Sequence, residues 1–228
     1  MSSRALAVTR MHLTDRLTLF GLPPAILAAS FVVNLLIFAV EPADSRSSGG
    51  AAAIYCVVFV AAVMCTARAM AFALSMGASR RAFALGTFLT GALLAAVFGV
   101  LVFVLNRLES ASGGWWLHGH LFALPWLAHH NLATVWLIVT LPFLAIFLLG
   151  AWVSTIWLRW RAVGMLVGGV AAVLVFGGLA VLVTWLDGWA AVGDWFGRLS
   201  PLTTSGWIAL LCLPLAGASY LTLRRVAF

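Results

Sequence analysis

Charge is scarce in this chain, and one basic residue type is missing altogether. Only 8% of the 228 residues are charged, whereas a soluble domain carries about 25%. The sequence contains no lysine, so all 13 basic residues are arginines. So few charges cannot cover the surface of a water-soluble protein of this size, which indicates that lipid surrounds most of the chain.

The lack of lysine also excludes two kinds of chemistry. A nucleotide-binding P-loop requires a lysine that reaches the β- and γ-phosphates. Schiff-base catalysis requires a lysine amine. Any ATP chemistry that serves this protein must therefore be carried out by another chain.

Hydrophobic residues make up 64% of the sequence and fall into long runs with short polar connections. A membrane-spanning helix needs about 20 mostly apolar residues. We therefore expect an all-α polytopic membrane protein with a single transmembrane domain, 1–228, and six spans. The expected spans are residues 22–40, 51–68, 82–106, 132–158, 162–186 and 206–223.

The first 21 residues differ from the runs that follow. Their apolar side chains fall near one helical face, namely Leu6, Leu13, Leu17 and Phe20. This pattern predicts an interfacial helix over residues 1–21, with a loose basic tail as the alternative. Pro23 and Pro24 predict a break before the first span.

Arginine placement predicts the orientation in the membrane. Ten of the thirteen arginines fall on the side of the N-terminus: Arg4, Arg10, Arg16, Arg68, Arg80, Arg81, Arg159, Arg161, Arg224 and Arg225. Because basic residues are in excess on the cytoplasmic side, both termini are expected to be cytoplasmic. We expect a multi-pass protein of the cell membrane, most simply the bacterial plasma membrane. The arginines are scattered between apolar runs, so the net charge of +7 indicates topology and contact with membrane lipids, not nucleic-acid binding.

Groups for catalysis and metal binding are scarce in the expected spans. No span pairs a histidine with a serine or holds two carboxylates, so no catalytic residue is expected and the chain alone is not expected to be an enzyme. Four histidines lie in the connection between the third and fourth spans: His118, His120, His129 and His130. Glu109 is the one carboxylate near them, and two of them are adjacent, so no metal site and no cofactor are expected in this chain.

Two features within the spans predict helix contacts. Gly164 and Gly168 form the small-xxx-small pattern that lets helices approach closely, which predicts a contact between subunits. Asn34 is a strongly polar side chain deep in the first span. It is a candidate for lining a pathway, although a bond between helices is the favoured interpretation.

One segment carries a family resemblance. Residues 71–83 read AFALSMGASRRAF, an apolar helix that a glycine is expected to end, followed by a serine and two arginines. This segment resembles the cytoplasmic turn between helices two and three in short permease subunits of ATP-binding cassette (ABC) exporters, the ABC-2-like permeases. The six-span layout agrees with that family over nearly the full length. The long external connection between the third and fourth spans departs from its pattern.

The resemblance implies how the protein would work. Residues 69–81 would form a cytoplasmic coupling segment that contacts a separate ATPase through Met70, Leu74, Met76, Gly77, Ser79, Arg80 and Arg81. Residues 187–205 would form an external semi-polar segment, and a second permease copy or a homologous permease would complete the path. ATP and Mg²⁺ would bind the partner ATPase, and the exported substrate would be a drug, an antimicrobial peptide or a lipid-like molecule. The alternative is a non-transporting structural or accessory membrane protein.

Overall fold

The computed structural model describes residues 3–40, 49–122 and 130–225. Within these ranges the chain forms helices and no strands. The α-helices are α1 (Ser3–His12), α2 (Leu22–Val40), α3 (Ala53–Ser75), α4 (Arg80–Ala111), α5 (Leu132–Trp185), α6 (Trp189–Arg198) and α7 (Pro201–Arg224). Short helical turns at Leu17–Gly21 and Gly50–Ala52 precede α2 and α3, and a turn with left-handed backbone angles, Gly114–His118, follows α4.

Five helices in the described ranges are long and apolar enough to cross a membrane. They cover Leu17–Val40, Gly50–Met70, Arg80–Ala111, Leu132–Trp185 and Pro201–Arg224. The prediction of an all-α chain with several membrane-length helices is therefore confirmed. The count is five where six were expected, because the fourth and fifth expected spans both lie in α5.

The helix α5 is interrupted near its middle. Its 54 residues would extend about 80 Å if straight, far more than the roughly 30 Å of hydrocarbon in a bilayer. Arg161 has φ 54° and ψ −141°, which lies outside the helical region. The backbone therefore changes direction between residues 132–160 and residues 162–185, without an intervening loop.

The N-terminal region is shorter as a separate helix than the sequence predicted. The helix α1 ends at His12, and the π-helical turn Leu17–Gly21 continues directly into α2. Leu22 donates its backbone N–H to the carbonyl of Leu17, as in a π-helix. The break expected at the two prolines is absent: Pro23 and Pro24 lie in the first turn of α2, and the helix continues through both.

The core of the bundle lies between α2, α3, α4 and the first part of α5. Aromatic side chains fill it, among them Phe38, Phe98, Phe143 and Phe147. Tyr55 of α3 stacks on Phe143 of α5 with 4.3 Å between ring centroids. The second part of α5, residues 162–185, lies outside this core, and side chains such as Val173 and Phe176 are largely exposed.

The region expected to be an external semi-polar segment, residues 187–205, contains the short helix α6 and the start of α7. Ser200 begins α7, since its Oγ accepts a hydrogen bond from the Thr203 backbone N–H at 3.2 Å. Pro201 occupies the first position of the helix, where its missing N–H costs nothing. The last span therefore begins five residues earlier than the expected boundary at residue 206.

Candidate functional site at the arginine-rich end

One end of the bundle gathers elements that are far apart in the chain. The elements α1, α3, α4 and α7 share a buried cluster made of Val8, Met70, Ala73, Phe83 and Leu223. Leu158, close to the break in α5, packs against it. The N-terminal helix, the turn between α3 and α4, the break in α5 and the end of α7 thus lie together. We call this the arginine-rich end, because most arginines of the chain belong to these elements.

The turn at residues 76–79 is built by two capping residues. Gly77 has φ 75°, in the left-handed region that favours glycine. The Ala78 N–H donates to the Ala73 carbonyl at 3.0 Å, which closes a Schellman motif at the end of α3. Ser79 then caps α4, because its Oγ accepts a hydrogen bond from the Ala82 N–H at 3.2 Å. Gly77 and Ser79 therefore set the geometry of this turn.

The expected coupling segment, residues 69–81, is not a separate short helix. It consists of the end of α3, the turn and the start of α4, because the residues after Arg68 favour continued helix. Met70 is fully buried in the cluster, whereas Met76 is 73% exposed. The side chain of Leu74 lies outside the described part of the structure.

Arg80 and Arg81 both reach the C-terminal end of α7. Arg80 donates through Nη1 to the carbonyl oxygen of Arg224. Arg81 donates through Nε to the Tyr220 hydroxyl at 3.1 Å. Cations at a helix C-terminus are stabilised by the helix dipole and by the carbonyls that lack helical partners. The two arginines therefore connect α4 to α7, a contact that their sequence spacing does not predict.

The helix α1 packs directly on α4 at a glycine. A Cβ atom at Gly86 would lie 2.6 Å from the Cβ of Val8 and 2.9 Å from the Ala5 carbonyl oxygen. Both distances are far below van der Waals contact, so a residue with a side chain would push the helices apart. Thr9 adds a hydrogen bond from its Oγ1 to the Gly86 carbonyl at 3.2 Å.

A buried histidine lies at the same contact. His12 is 1% exposed, and its Nδ1 donates to the Val8 carbonyl at 2.9 Å. Burial lowers the pKa of His12, although the backbone hydrogen bond opposes the shift. The neutral ring leaves Nε2 as an acceptor, and the Oγ1 of Thr87 lies 3.5 Å from it.

A groove of about 350 Å³ opens between α1 and the turn. We call it the α1–turn groove; it is lined by Ala7, Val8, Met11, Phe72, Ala73, Met76, Gly77 and Ala78. Phe72 is 56% exposed, and the space beside Gly77 is open. Methionines adapt to different partners and exposed apolar patches mark contact surfaces, so this groove suits an inserted segment of another protein.

Acidic side chains do little to balance the arginines at this end. Among the residues that the structure describes, Asp15 is the one acidic residue at the arginine-rich end. Its Oδ2 lies 3.2 Å from Nη1 of Arg68. The pair is substantially exposed, and such pairs contribute little to stability. The surface around the groove is therefore positively charged.

Asn34 lies at the opposite end, where α2 meets the start of α3. Its Nδ2 donates to the Ser30 carbonyl at 2.7 Å. Ser30 in turn donates through Oγ to the Gly50 carbonyl at 3.0 Å. Ser30 thus connects α2 to the turn before α3, and the role of Asn34 in a pathway stays a prediction.

Sequence reasoning missed the role of Glu109, which it considered only as a neighbour of the histidines. Its carboxylate is fully buried and accepts hydrogen bonds from Trp115 Nε1 at 2.8 Å, from the Leu121 N–H at 3.0 Å and from the Phe122 N–H at 2.9 Å. Glu109 thereby holds the loop that follows α4. The available signal was an acidic residue at the end of an apolar helix, followed by two glycines and two tryptophans.

The predicted glycine contact lies in the second part of α5, just after the break. Gly168 has open space beside it, whereas a Cβ at Gly164 would lie 2.5 Å from the Cβ of Trp160. The subunit contact expected at these glycines stays a prediction. Of the histidine cluster, His129 lies outside the described residues.

Comparison of the chain with family profiles, with curated proteins and with solved structures found no match. The resemblance to ABC-2-like permeases therefore rests on residues 71–83 and on the helical layout.

Proposed function

We propose that this protein is the permease subunit of an ATP-driven ABC exporter and that a separate ATPase docks at its arginine-rich end. The observation that carries this proposal is the α1–turn groove. It is apolar, exposed and bordered by a turn that a glycine and a serine hold in a defined shape. A partner segment in this groove would contact α1, α3 and the turn at once.

The same geometry supports a route for transmitting force. Met76 and Phe72 present exposed apolar surface to the partner, while Met70, two residues before Phe72 on the same helix, is fully buried. Met70 packs with Phe83 of α4 and Leu223 of α7. A push on the turn would therefore move α4 and α7 together, which is the kind of rigid coupling that alternating access requires.

The composition supports a division of tasks between this chain and a separate ATPase. The chain lacks the lysine of a P-loop, so ATP and Mg²⁺ would bind the partner ATPase. The permease would supply the membrane path and the docking surface. Its bundle holds few charges, which favours a hydrophobic or amphipathic substrate such as a drug, an antimicrobial peptide or a lipid-like molecule.

In this proposal α5 crosses the membrane twice, which gives six spans with both termini in the cytoplasm. Residues 132–160 and 162–185 each exceed the about 20 residues that a span needs. Arg159 and Arg161 flank the break, as the excess of basic residues at the cytoplasmic surface requires. Leu158 packs at the arginine-rich end, which supports a turn at that surface.

A second permease would complete the path. The support is the apolar surface of residues 162–185, where Val173, Phe176 and Val181 are each about 70% exposed. Gly168 and Gly177 have open space beside them, so another helix could approach closely. Under this proposal the second permease is either another copy of this chain or a homologous permease, since the same surface serves both.

The test is a matched pair of charge substitutions at the arginine-rich end. Met76→Glu places a carboxylate in the α1–turn groove, and Thr14→Glu places one on an exposed residue of the same end outside the groove. We expect affinity-tagged wild type and Thr14→Glu to co-purify an ATP-binding subunit in mild detergent, and Met76→Glu to lose it with unchanged membrane insertion. Wild-type protein without any ATP-binding subunit would instead favour the accessory-protein alternative.

A further inference from the structure

A second groove lies on the flank of the bundle, between α4 and α7. Its volume is about 460 Å³, and it is lined by Arg81, Ala84, Leu85, Phe88, Ala216 and Tyr220. Two of these residues are alanines, which leave room between the helices. Leu85 is 55% exposed and Phe88 is 38% exposed. The lower part of the groove is therefore an apolar channel that opens sideways, toward lipid.

Positive charge is concentrated at the head of this groove. Arg81 is exposed, and its bond to Tyr220 uses only one of the five N–H donors of a guanidinium. The guanidinium of Arg224 lies 5.9 Å from the centroid of the Tyr220 ring, and Arg225 follows it. Asp15, the acidic side chain described at this end, is instead beside Arg68. The head of the groove thus offers guanidinium donors that suit a phosphate.

We propose that this groove binds an anionic phospholipid from the leaflet at the arginine-rich end. Its phosphate would contact Arg81 and Arg224, and one acyl chain would lie along Leu85 and Phe88. Basic pockets between membrane helices bind acidic headgroups. Here the arginines suit the lipid headgroup, and the apolar channel below them suits the acyl chain. A soluble phosphate would leave that channel uncovered.

The lipid would act as a bridge between α4 and α7. It would reinforce the connection that Arg81 and Tyr220 already make, at the place where the helices leave a groove between them. This binding does not depend on an ATPase or on transport. The site can therefore be tested on the purified chain, and its failure would leave the proposed function untouched.

The first measurement compares an anionic phospholipid with two ligands that lack either its net negative charge or its acyl chains. Thermal unfolding of the detergent-purified protein is followed with phosphatidylglycerol, with phosphatidylcholine of the same acyl chains, and with glycerol 3-phosphate. We expect phosphatidylglycerol alone to raise the unfolding temperature clearly. Equal shifts with phosphatidylcholine would overturn the role of charge, and an equal shift with glycerol 3-phosphate would overturn the role of the acyl chain.

The second measurement assigns the binding to the groove. Arg81→Gln removes a head contact, and Ala216→Leu fills the channel while leaving the arginines intact. Arg107→Gln is the control, since Arg107 is an exposed arginine near the opposite end of α4. In lipid titrations followed by native mass spectrometry, Arg81→Gln should bind phosphatidylglycerol about fivefold more weakly, the loss expected for one basic residue at an anionic headgroup. Ala216→Leu should also bind it more weakly, because the added side chain occupies the space of the acyl chain. Wild-type affinity in Ala216→Leu, or an equal loss in Arg107→Gln, would overturn the proposal.

Discussion

Arg81 donates a hydrogen bond through Nε to the hydroxyl of Tyr220 at 3.1 Å, across 139 positions of the chain. Beside it, Arg80 binds the carbonyl of Arg224. The start of α4 therefore holds the end of α7 by two contacts. Because α4 follows directly on the turn at residues 76–79, a movement of that turn would be passed to α7 through these arginines.

Tyr220→Phe tests the strength of this connection. It removes the hydroxyl but keeps the ring that the Arg224 guanidinium lies over. We expect the free energy of unfolding to fall by about 1 kcal/mol or less, because the hydrogen bond is exposed. A double-mutant cycle with Arg81→Gln, followed by equilibrium unfolding in mixed micelles, isolates the coupling. Strictly additive effects would mean that the two side chains do not interact.

Gly86→Ala tests the close packing of α1 on α4. The added Cβ would lie 2.6 Å from the Cβ of Val8, and overpacking of this kind costs about 1–3 kcal/mol. We expect α1 to detach, so that a cysteine at position 8 becomes accessible to a maleimide. Gly217→Ala is the control, because nothing lies within 4 Å of its Cβ position. Unchanged labelling at position 8 would contradict the packing.

Glu109→Gln tests the loop after α4. The carboxylate accepts three hydrogen bonds, and an amide offers one oxygen and a misplaced NH₂ group. We expect the free energy of unfolding to fall by about 1–3 kcal/mol, as it does when other buried polar groups lose a hydrogen-bond partner. Hydrogen exchange at the Leu121 and Phe122 amides should accelerate. Asp194→Asn, in the exposed helix α6, should leave that exchange unchanged; equal effects in both variants would rule out a local role for Glu109.

Part of this architecture could be predicted from the sequence because it depends on neighbouring residues. Long apolar runs indicate membrane-length helices. Gly77 and Ser79 cap the helices that adjoin them, so the turn is readable from a short stretch. The break inside α5 falls at Arg161, between the expected spans 132–158 and 162–186, and this single residue makes it without any loop.

The contacts between helices could not be predicted in the same way. Every apolar helix face is equally compatible with lipid and with another helix, so hydropathy does not indicate which helices are neighbours. The bond from Arg81 to Tyr220 and the packing of Val8 on Gly86 both depend on that choice of neighbours. For the same reason, Met70 was expected at a partner surface and is found fully buried.

His12 makes the attachment of α1 sensitive to pH. Burial lowers the pKa of His12, which means that folding favours the neutral ring. The stability that this ring contributes is fully present above the ordinary histidine pKa of about 6.5 and is lost as the pH falls below that value. The charged groups on the same segment are the cationic Arg10 and Arg16, which disfavour a charged ring, and the anionic Asp15, which is paired with Arg68. The helix α4 contributes the neutral Phe83 and Thr87, so burial remains the dominant cause.

His12→Phe provides the comparison. The ring centroids of His12 and Phe83 are 5.5 Å apart, and the substitution keeps an aromatic ring at this contact while removing the group that titrates. The unfolding temperatures of wild type and variant are measured from about pH 8 to about pH 5, a range that brackets the ordinary pKa of about 6.5. We expect the wild type to lose stability relative to His12→Phe on the acidic side, and accessibility at position 8 to rise in parallel. His130→Gln, at the other end of the bundle, should retain the wild-type pH dependence. If His12→Phe loses stability with acid as steeply as the wild type, then another group is responsible and α1 is not held by a neutral histidine.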